Sequence, residues 1–437
     1  MEELFGKYSK NCKIFAETIE AEARSQVYDM IESPAFKDIK VRMMPDMHAG
    51  KNCCIGTSYP IGDFVDPCHV GVDIGCRMTA IELSKSVNAD DYALFEHRIR
   101  EAIPTGFDIH KNTVFNEKDF YKFLNKKYNK ARSSWPDMIE DVGRIDEKYI
   151  TALCKRVNMD LGTFYKSIAS LGGGNHYMEY GETDDGRAFF TVHCGSRNFG
   201  VKVCNYWAKV AKRTPRTSSL YNVDEEIKKI KATVADRKSW RGLIDEAKER
   251  AKTINPQGYL SGDNLKGYLS DMVIATAYAA YNHYMIIELI KKIVLKFGIK
   301  EIDRIESVHN YIDFNDHILR KGAIRSYAGE RMIIPFNMRD GVAICEGKSN
   351  DDWNCTAPHG AGRIMSRAAA RKNVDVKEFE KSMEGIYSTC VGTGTLDESP
   401  MVYKPMDEIL RLIEPTANVL FLIKPKINIK ATDTMED

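Results

Sequence analysis

The stretch "HVGVDIGCRM", residues 69–78, determines how the rest of the chain is interpreted. It places the carboxylate of Asp73 and the thiol of Cys76 three residues apart, in a run with two glycines and few bulky polar side chains. Carboxylates and thiolates both bind divalent metals, so these two side chains can share one cation. A tight turn followed by a buried cysteine has the same pattern. The choice between the two interpretations depends on residues elsewhere in the chain.

The composition is that of a globular protein with a large core. The chain has 437 residues, of which 43% are hydrophobic and 29% are charged, and its net charge is +1. A near-neutral total neither requires nor excludes a polyanionic partner, because a basic patch can be local. Length alone suggests two or three domains. Motif-like segments, however, are spread from residue 45 to residue 430, so we predict one domain over 1–437 whose site is assembled from distant segments.

Cysteine usage and the N-terminus favour a cytoplasmic protein. The 11 cysteines form neither a disulfide framework nor a paired CxxC zinc motif. The opening "MEELFGKYSK" lacks the apolar segment of a signal peptide. The most apolar region, residues 272–294, is interrupted by Asn282, His283 and Glu288. A membrane span needs about 20 residues with few or no charges, so we predict a buried core helix and no membrane association.

Hydrophobic periodicity and turn residues give a coarse assignment of the secondary structure. The segments predicted to be helical are 12–32, most of 84–170, 272–294 and a charged insertion over 205–258. The segments predicted to form strands and turns are 39–50, 52–80, 164–193 and 418–431. The acidic residues of the 431–437 tail are expected to be frayed.

Five of the 10 histidines lie in turns rich in glycine or asparagine: His48, His176, His193, His309 and His359. A single histidine in such a turn is usually structural. Five in similar surroundings favour a shared function, because glycine lets the backbone approach a ligand closely and exposes N–H groups.

Three of these histidines complete a plausible metal-binding set. Asp73, Cys76, His176, His193 and His309 offer one oxygen, one sulfur and three nitrogen ligands. This mixture suits manganese, iron, cobalt or zinc, and the sequence does not choose among them. Five ligands exceed the needs of one tetrahedral site, whereas a thiolate can bridge two ions. A two-metal site with Cys76 in the middle is one solution for phosphoryl displacement.

The segment "HGAGR", residues 359–363, suggests phosphate chemistry. Its small residues expose backbone donors, and Arg363 can bind phosphate in a bidentate manner. His359 can act as a nucleophile toward phosphorus or as a general base. The alternative is a simple helix N-terminus that leads into "RIMSRAAARK", and both can hold because helix N-termini bind phosphate.

The segment "LRKGAIRSYAGER", residues 319–331, carries four cationic side chains and a tyrosine. It can follow a nucleic-acid backbone, although charged runs are more often solvated surfaces. The residues that we predict to contact RNA or phosphate are Arg197, Arg320, Lys321, Arg325 and Arg363.

Taken together, these motifs resemble the RtcB family of RNA ligases over nearly the whole chain. The segments that carry the resemblance are "MPDMHAGKNCCIG", "VGVDIGC", "SLGGGNHYMEY", "VHCGSRNFG", "GYLSDMVIATAYAAYNH", "HNY", "RKGA", "HGAGRIMSRAAA" and "KPKINIK". The resemblance implies an α+β fold, in which a single RtcB-like domain has mixed β-sheets surrounded by helices and a central metal-containing cleft.

The resemblance also implies specific roles for the site residues. Asp73 and His176 would hold one Mn²⁺ ion, His193 and His309 a second, and Cys76 would be shared. His359 would attack the α-phosphate of GTP and carry GMP. The positions expected to bind the nucleotide are Asn175, Glu179, Asn310, Pro335, Met338, Gly360, Ala361, Gly362, Tyr403 and Lys430.

The implied activity is a GTP- and Mn-dependent RNA ligase. It would join RNA 3′-phosphate or 2′,3′-cyclic phosphate ends to 5′-hydroxyl ends through a histidine–GMP intermediate, in RNA repair or tRNA splicing. An activating protein partner is compatible with this activity. A metal-dependent phosphoesterase that trims RNA 3′ ends, and a non-catalytic protein that binds RNA ends, are the alternatives.

Several positions depart from the family pattern. A loop commonly of the "PGSMG" type is replaced by "PFNMRD", residues 335–340. Val342, Pro358, Ile324 and Ala431 also stand where other residues are usual. The metal ligands and the nucleophile are intact, whereas the nucleotide pocket is altered. These departures predict a divergent branch of the family.

Overall fold

The computed structural model describes residues 1–213, 218 and 220–432, so the predicted frayed tail lies outside the described residues from 433 onward. Within these ranges the strands form a six-stranded sheet, a seven-stranded sheet and a two-stranded pair. The strands are β1 Glu2–Leu4, β2 Asn11–Ile14, β3 Lys40–His48, β4 Ile55–Pro60, β5 Arg77–Leu83, β6 Tyr177–Glu182, β7 Ala188–Cys194, β8 Glu301–Val308, β9 Tyr311–Ile312, β10 Ile318–Lys321, β11 Ala323–Arg325, β12 Arg331–Pro335, β13 Val342–Gly347, β14 Thr356–Pro358 and β15 Ala417–Ile429.

Helices surround the sheets. They are α1 Ala21–Ile31, α2 Pro67–Val70, α3 Tyr92–Ala102, α4 Glu117–Ser134, α5 Glu147–Val157, α6 Leu161–Lys166, α7 Arg197–Ala211, α8 Val223–Thr233, α9 Trp240–Ile254, α10 Gly262–Lys296, α11 Arg367–Asn373, α12 Val376–Ser382 and α13 Met406–Leu412. This arrangement of mixed sheets and surrounding helices confirms the predicted α+β fold class.

The two large sheets differ in their pairing. The six-stranded sheet has the order β1-β2-β3-β4-β10-β9 and is mixed, because β2 and β3 run parallel while its other pairs are antiparallel. The seven-stranded sheet has the order β12-β13-β15-β6-β7-β5-β8 and is antiparallel throughout. The short β11–β14 pair lies just before the "HGAGR" loop.

The register of the seven-stranded sheet places the candidate ligands at one end. β5 lies between β7 and β8, with Met78 opposite His193 and Arg77 opposite Val308. Cys76 immediately precedes β5, and His309 immediately follows β8. Since antiparallel neighbours alternate in direction, the start of β5 and the ends of β7 and β8 meet at the same end of the sheet.

Helix α10 is the buried core helix predicted from the sequence. It spans 35 residues, and most of its apolar side chains belong to the core. Two polar residues of this helix contact backbone carbonyls near the candidate ligands. The Asn282 amide donates to the Ser170 and Gly195 carbonyls, and His283 Nε2 lies 2.9 Å from the Cys194 carbonyl oxygen. None of the helices in the described ranges is long and apolar enough to cross a membrane.

Two of the predicted elements were assigned incorrectly at their edges. The predicted helix over 12–32 begins only at Ala21, because the preceding residues form β2, which pairs with β1 and β3. Pairing with distant strands overrides the local periodicity there. The predicted strand region over 164–193 begins with the end of helix α6.

The charged segment over 205–258 is largely helical in its described part. Its first residues complete α7, whose Trp207 and Ala211 side chains are buried. The remainder contains α8 and α9, which pack against each other. The separate insertion predicted from the charge pattern therefore corresponds best to α8 and α9.

Candidate active site

The structure brings the five predicted metal ligands into contact. The sulfur of Cys76 lies 3.4 Å from His176 Nε2 and 3.3 Å from His193 Nε2. His193 Nε2 lies 3.2 Å from His309 Nε2, and His176 Nε2 lies 2.9 Å from Asp73 Oδ2. Four separate chain segments supply these atoms. The thiol is therefore part of a polar cluster and does not pack in an apolar turn.

These atoms fall into two groups that share one sulfur. Cys76, His193 and His309 form one group, and Asp73, Cys76 and His176 form the other, with the ligand atoms of each within 4.8 Å of one another. Two ligands about 2.1 Å from a tetrahedral ion lie about 3.4 Å apart, which is close to the spacings found here. The geometry fits two cations bridged by one thiolate.

The carboxylate of Asp73 is positioned for a ligand. Its Oδ1 atom accepts hydrogen bonds from the backbone N–H and the hydroxyl of Ser196, both at 2.8 Å. Its Oδ2 atom is shielded from solvent and lies 2.9 Å from His176 Nε2. A Cβ atom on Gly195 would lie 2.1 Å from Oδ2, so only glycine leaves room for this carboxylate. A cation bound here would be held by Oδ2 together with His176 Nε2.

The electrostatics of the cluster favour neutral imidazoles. Burial and the neighbouring histidines lower the pKa values of His193 and His309 well below the usual value. Their ring nitrogens are then free to donate lone pairs to a metal. Burial and the Asp73 carboxylate raise the pKa of the Cys76 thiol. A cation reverses that effect, because a coordinating thiol is deprotonated.

A fourth imidazole, that of His359, lies beside the ligand cluster. Its ring centroid is 4.7 Å from that of His309, and its Nδ1 atom lies 2.7 Å from Asp46 Oδ2. The Asp46 carboxylate is fully buried and also accepts a hydrogen bond from the His359 backbone N–H. A carboxylate on Nδ1 fixes the tautomer that leaves the Nε2 lone pair free.

Sequence reasoning missed Asp46 as a site residue, although the surrounding "MPDMHAG" segment was singled out. A signal was present, because Asp46 and His48 alternate along β3 within a turn-rich motif.

The close approach of the "HGAGR" loop to β3 requires glycine. Gly362 has φ +77°, and a Cβ atom there would lie 2.2 Å from the Asp46 carbonyl oxygen.

A cleft of about 890 Å³ extends from the ligand cluster. It contains His359 and four of the five predicted metal ligands, while His176 contacts Cys76 from behind. All ten predicted nucleotide positions line it: Asn175, Glu179, Asn310, Pro335, Met338, Gly360, Ala361, Gly362, Tyr403 and Lys430.

One wall of the cleft is a buried carboxyl–amide pair. The Asn428 amide donates a 2.9 Å hydrogen bond to Glu179 Oε2. Glu179 Oε1 and Asn428 Oδ1 are both buried and have no partner. Burial raises the pKa of Glu179 to about 8. The pair therefore presents two unused acceptor positions to a ligand.

A second buried carboxylate, Glu398, was not predicted and organises the cations of the cleft. Its Oε2 atom accepts from the Tyr403 hydroxyl at 2.6 Å and lies 3.3 Å from Lys430 Nζ. Burial alone would raise its pKa, but Lys430, Arg367 and Arg363 outweigh burial and lower the pKa to about 2. Lys430 is therefore held in place by an ion pair. Arg367, also missed, lines the cleft beside this group.

The "PFNMRD" segment is a tight turn between β12 and β13. The Asn337 side-chain oxygen accepts from the backbone N–H groups of Arg339 and Asp340, both at 3.0 Å. Phe336 and Met338 are buried yet line the cleft. The loop therefore offers apolar surface where a small polar pair would offer phosphate contacts.

Only two of the five cations predicted to contact RNA or phosphate line this cleft, Lys321 and Arg363. Arg320 is fully buried, with an ion pair of 2.7 Å to Asp316, and Arg325 binds Asp313 and Glu330. Neither arginine lines this cleft, and their contact with RNA or phosphate stays a prediction.

The remaining predicted cations are also engaged. Arg197 Nη2 donates to the Gly106 carbonyl oxygen at 2.6 Å, and Nε donates to the Ser170 hydroxyl. Lys321 Nζ donates to the Lys51 and Cys53 carbonyl oxygens. Arg197 therefore bonds to groups outside the cleft, whereas Lys321 stabilises the segment 51–53 in the cleft wall.

Comparisons with known proteins agree with this geometry. The family described as "tRNA-splicing ligase RtcB" matches residues 26–431. The RNA-splicing ligase RtcB of Escherichia coli (strain K12) is 26% identical over 408 residues, which cover 90% of each chain. The tRNA-splicing ligase RtcB of Archaeoglobus fulgidus is 23% identical over 458 residues, which cover 90% of this chain and 88% of that protein.

Proposed function

The chain belongs to the RtcB family, and we propose that it is an RNA ligase that uses GTP and two Mn²⁺ ions. It joins RNA 3′-phosphate or 2′,3′-cyclic phosphate ends to 5′-hydroxyl ends, in RNA repair or tRNA splicing. The observation that carries the proposal is the contact between the His359 and His309 rings, 4.7 Å apart, beside the two ligand groups. A nucleophile that close to two cation positions suits phosphoryl transfer.

The proposed first step is nucleotidyl transfer to His359. Asp46 holds the Nδ1–H, so the Nε2 lone pair attacks the α-phosphorus of GTP and pyrophosphate leaves. The bound ions would supply positive charge to the triphosphate oxygens. Asp46 stabilises the positive charge that develops on the ring, in a buried setting where electrostatic interactions are strong.

The proposed nucleotide site is the wall opposite the ligand cluster. Guanine carries two adjacent donors, the N1–H and the 2-amino group, which match the unused acceptors on Glu179 and Asn428. The backbone N–H groups of Gly360 and Gly362 lie in the same cleft and suit phosphate oxygens. Adenine lacks the N1–H and the 2-amino group, so this wall favours GTP over ATP.

The later steps transfer GMP and seal the RNA. A phosphate oxygen of the RNA 3′ end attacks the phosphorus of histidine–GMP, which frees His359. The 5′-hydroxyl of the second RNA then attacks the activated 3′-phosphate and expels GMP. Arg363 and Arg367 line the cleft and suit the 3′-phosphate, since guanidinium groups bind phosphate in a bidentate manner. A cyclic end must first be opened by water.

The test is covalent labelling with α-labelled GTP in the presence of Mn²⁺, followed by denaturing electrophoresis. We expect acid-labile label on the protein and none on His359→Ala. Label from ATP and not from GTP would preserve the mechanism and replace the nucleotide. No label, with hydrolysis of a 2′,3′-cyclic phosphate intact, would establish the phosphoesterase instead.

A further inference from the structure

A second cleft of about 780 Å³ lies next to the candidate active site. Its walls come from helices α4 and α10, strands β8 and β12, and the segment 311–315. Cys76 points to the metal cluster, whereas the side chain of the next residue, Arg77, lines the second cleft. Successive side chains alternate between the faces of a strand, so the two clefts lie back to back across the start of β5.

Arg77 is a buried cation without an anionic partner. It is 7% exposed, and its Nε and Nη2 atoms donate only to the backbone carbonyls of Gly75 and Thr276, each at 3.2 Å. It forms no salt bridge with any residue that the structure describes. The Thr276 hydroxyl, in the same wall, is also buried without a hydrogen bond. A buried charge is costly unless it is paired, so this guanidinium suits an anionic ligand.

Two lysines of α4 extend the positive charge of this cleft. Lys127 and Lys130 line it, and neither forms an ion pair among the described residues. Lys127 is exposed overall, and partial burial of its amino group together with the charge of Arg77 lowers its pKa. The Glu306 carboxylate in the same wall opposes this shift and also interacts with Arg77, although it forms an ion pair with neither. Unpaired cations thus face each other across a cavity, and a bound anion would relieve their repulsion.

The wall of the second cleft carries a net positive charge. The cleft is lined by six cationic side chains and three carboxylates, although the whole chain carries a net charge of only +1. Two of the cations, Arg325 and Arg331, belong to the basic segment 319–331, whose Lys321 lines the nucleotide cleft instead. These two and Arg304 are paired with acids, which leaves Arg77, Lys127 and Lys130 as the groups available to a ligand.

We propose that this second cleft binds backbone phosphates of the RNA strand whose end reacts in the first cleft. The inference rests on the proposed ligase function. The cavity is much larger than one phosphate group, and Tyr311 and Phe314 in its wall offer ring surfaces to bases. RNA supplies both phosphates and bases, whereas an inorganic anion supplies only charge. The second cleft thus adds affinity for the substrate away from the reacting end.

The test compares two charge-reversal pairs on the same helix. Lys127→Glu/Lys130→Glu alters the cleft, and Lys122→Glu/Lys126→Glu is the matched control, because both of its lysines are exposed residues of α4 outside the cleft. Arg77 is left intact, since it neighbours a predicted metal ligand. The measurement is fluorescence anisotropy of a labelled single-stranded RNA with a 3′-phosphate, at several salt concentrations.

We expect the cleft variant to bind RNA about 25-fold more weakly at roughly 0.1 M salt, because two lost phosphate contacts remove about 1.4 from the slope of log affinity against log salt. The control should stay within about threefold of the wild type, and both variants should still be labelled by GTP. Equal weakening of both pairs would overturn the proposal. So would removal of the difference by about 5 mM inorganic phosphate at constant ionic strength, which indicates a small-anion site.

The same experiment separates this inference from the proposed function. RNA binding that depends on the two lysines, without guanylylation or ligation, would refute the ligase and retain an RNA-binding cleft. Guanylylation and ligation with no effect of the cleft variant on RNA affinity would retain the ligase and refute RNA binding by the second cleft.

Discussion

Replacing Asp46 by asparagine is the sharpest test of the proposed nucleophile. The substitution preserves the size of a fully buried side chain, so we expect the protein to fold. It alters one atom that lies 2.7 Å from His359 Nδ1. With its NH₂ group at the Oδ2 position, asparagine donates to Nδ1, which moves the ring proton to Nε2 and removes the attacking lone pair. The His359 backbone N–H then also loses its acceptor.

The magnitude follows from the hydrogen bond. Attack then requires the ring to return to the reactive tautomer, which breaks the new bond and leaves two N–H groups facing each other without an acceptor. Loss of a charge-assisted bond and an unsatisfied buried donor together cost about 3–5 kcal/mol. That cost corresponds to a rate lower by about 10²–10⁴-fold. In serine proteases the equivalent change lowers kcat about 10⁴-fold.

The assay is the single-turnover rate of protein labelling by α-labelled GTP with Mn²⁺. Asp46→Ala is a useful companion, because it removes the bond without imposing the wrong tautomer, and we expect it to lose less activity than Asp46→Asn. Asp66→Asn is the matched control. Asp66 Oδ2 also lies near a buried imidazole, 3.7 Å from His69 Nε2, outside the nucleotide cleft.

Labelling of both Asp46→Asn and Asp46→Ala within about threefold of the wild-type rate would refute the assignment of Asp46 as the group that fixes the His359 tautomer. A comparable loss in Asp66→Asn would show that the effect reflects general destabilisation.

Three further predictions concern the metal cluster, the nucleotide wall and acid stability. Cys76→Ser should lose both Mn²⁺ ions, because one sulfur belongs to both ligand groups. A Mn²⁺ titration followed by metal analysis measures this loss, and Cys68→Ser, the control, should retain both ions. GTP affinity, measured by equilibrium binding, should rise about tenfold per pH unit below the Glu179 pKa of about 8 and level off above it. The reason is that the guanine donors favour the ionised carboxylate. Glu179→Gln should abolish this dependence of GTP affinity on pH. The pKa of Glu398 is about 2 in the folded protein, below the ordinary glutamate value of 4.5. This difference should contribute about 3 kcal/mol to the free energy of unfolding above pH 4.5, and the contribution should be lost as the pH falls from 4.5 to about 2. Glu398→Gln should lack this acid dependence in urea denaturation.

Local sequence pattern predicted the regular elements where the pattern and the tertiary contacts agree. The core helix within α10 was anticipated from its long apolar run, and the strand β15 from its strand-like pattern. Residues 12–14 were assigned to a helix and belong to strand β2, because their partner strands β1 and β3 include residues about thirty positions away. Propensity carries no information about such pairing.

The candidate site divides in the same way. The ligand types and the glycines around them indicated a metal cluster before any coordinates were known, because metal preference is a property of the side-chain atoms themselves. The sequence did not indicate Asp46, whose partner His359 lies 313 positions later, or Glu398, which holds Lys430. It also did not show that Arg320 is neutralised by Asp316 inside the fold.

The sequence by itself therefore determined which chemical groups this protein can use, and the family to which the chain belongs. Only the tertiary structure decided which groups are available: an imidazole with one nitrogen fixed, a carboxylate oxygen buried beside a thiol and an imidazole, and a guanidinium buried without an ion pair. The reason is physical. The identity of a ligand atom is local to its residue, whereas its pKa, its hydrogen bonds and its free lone pairs depend on neighbours that the fold brings from distant positions.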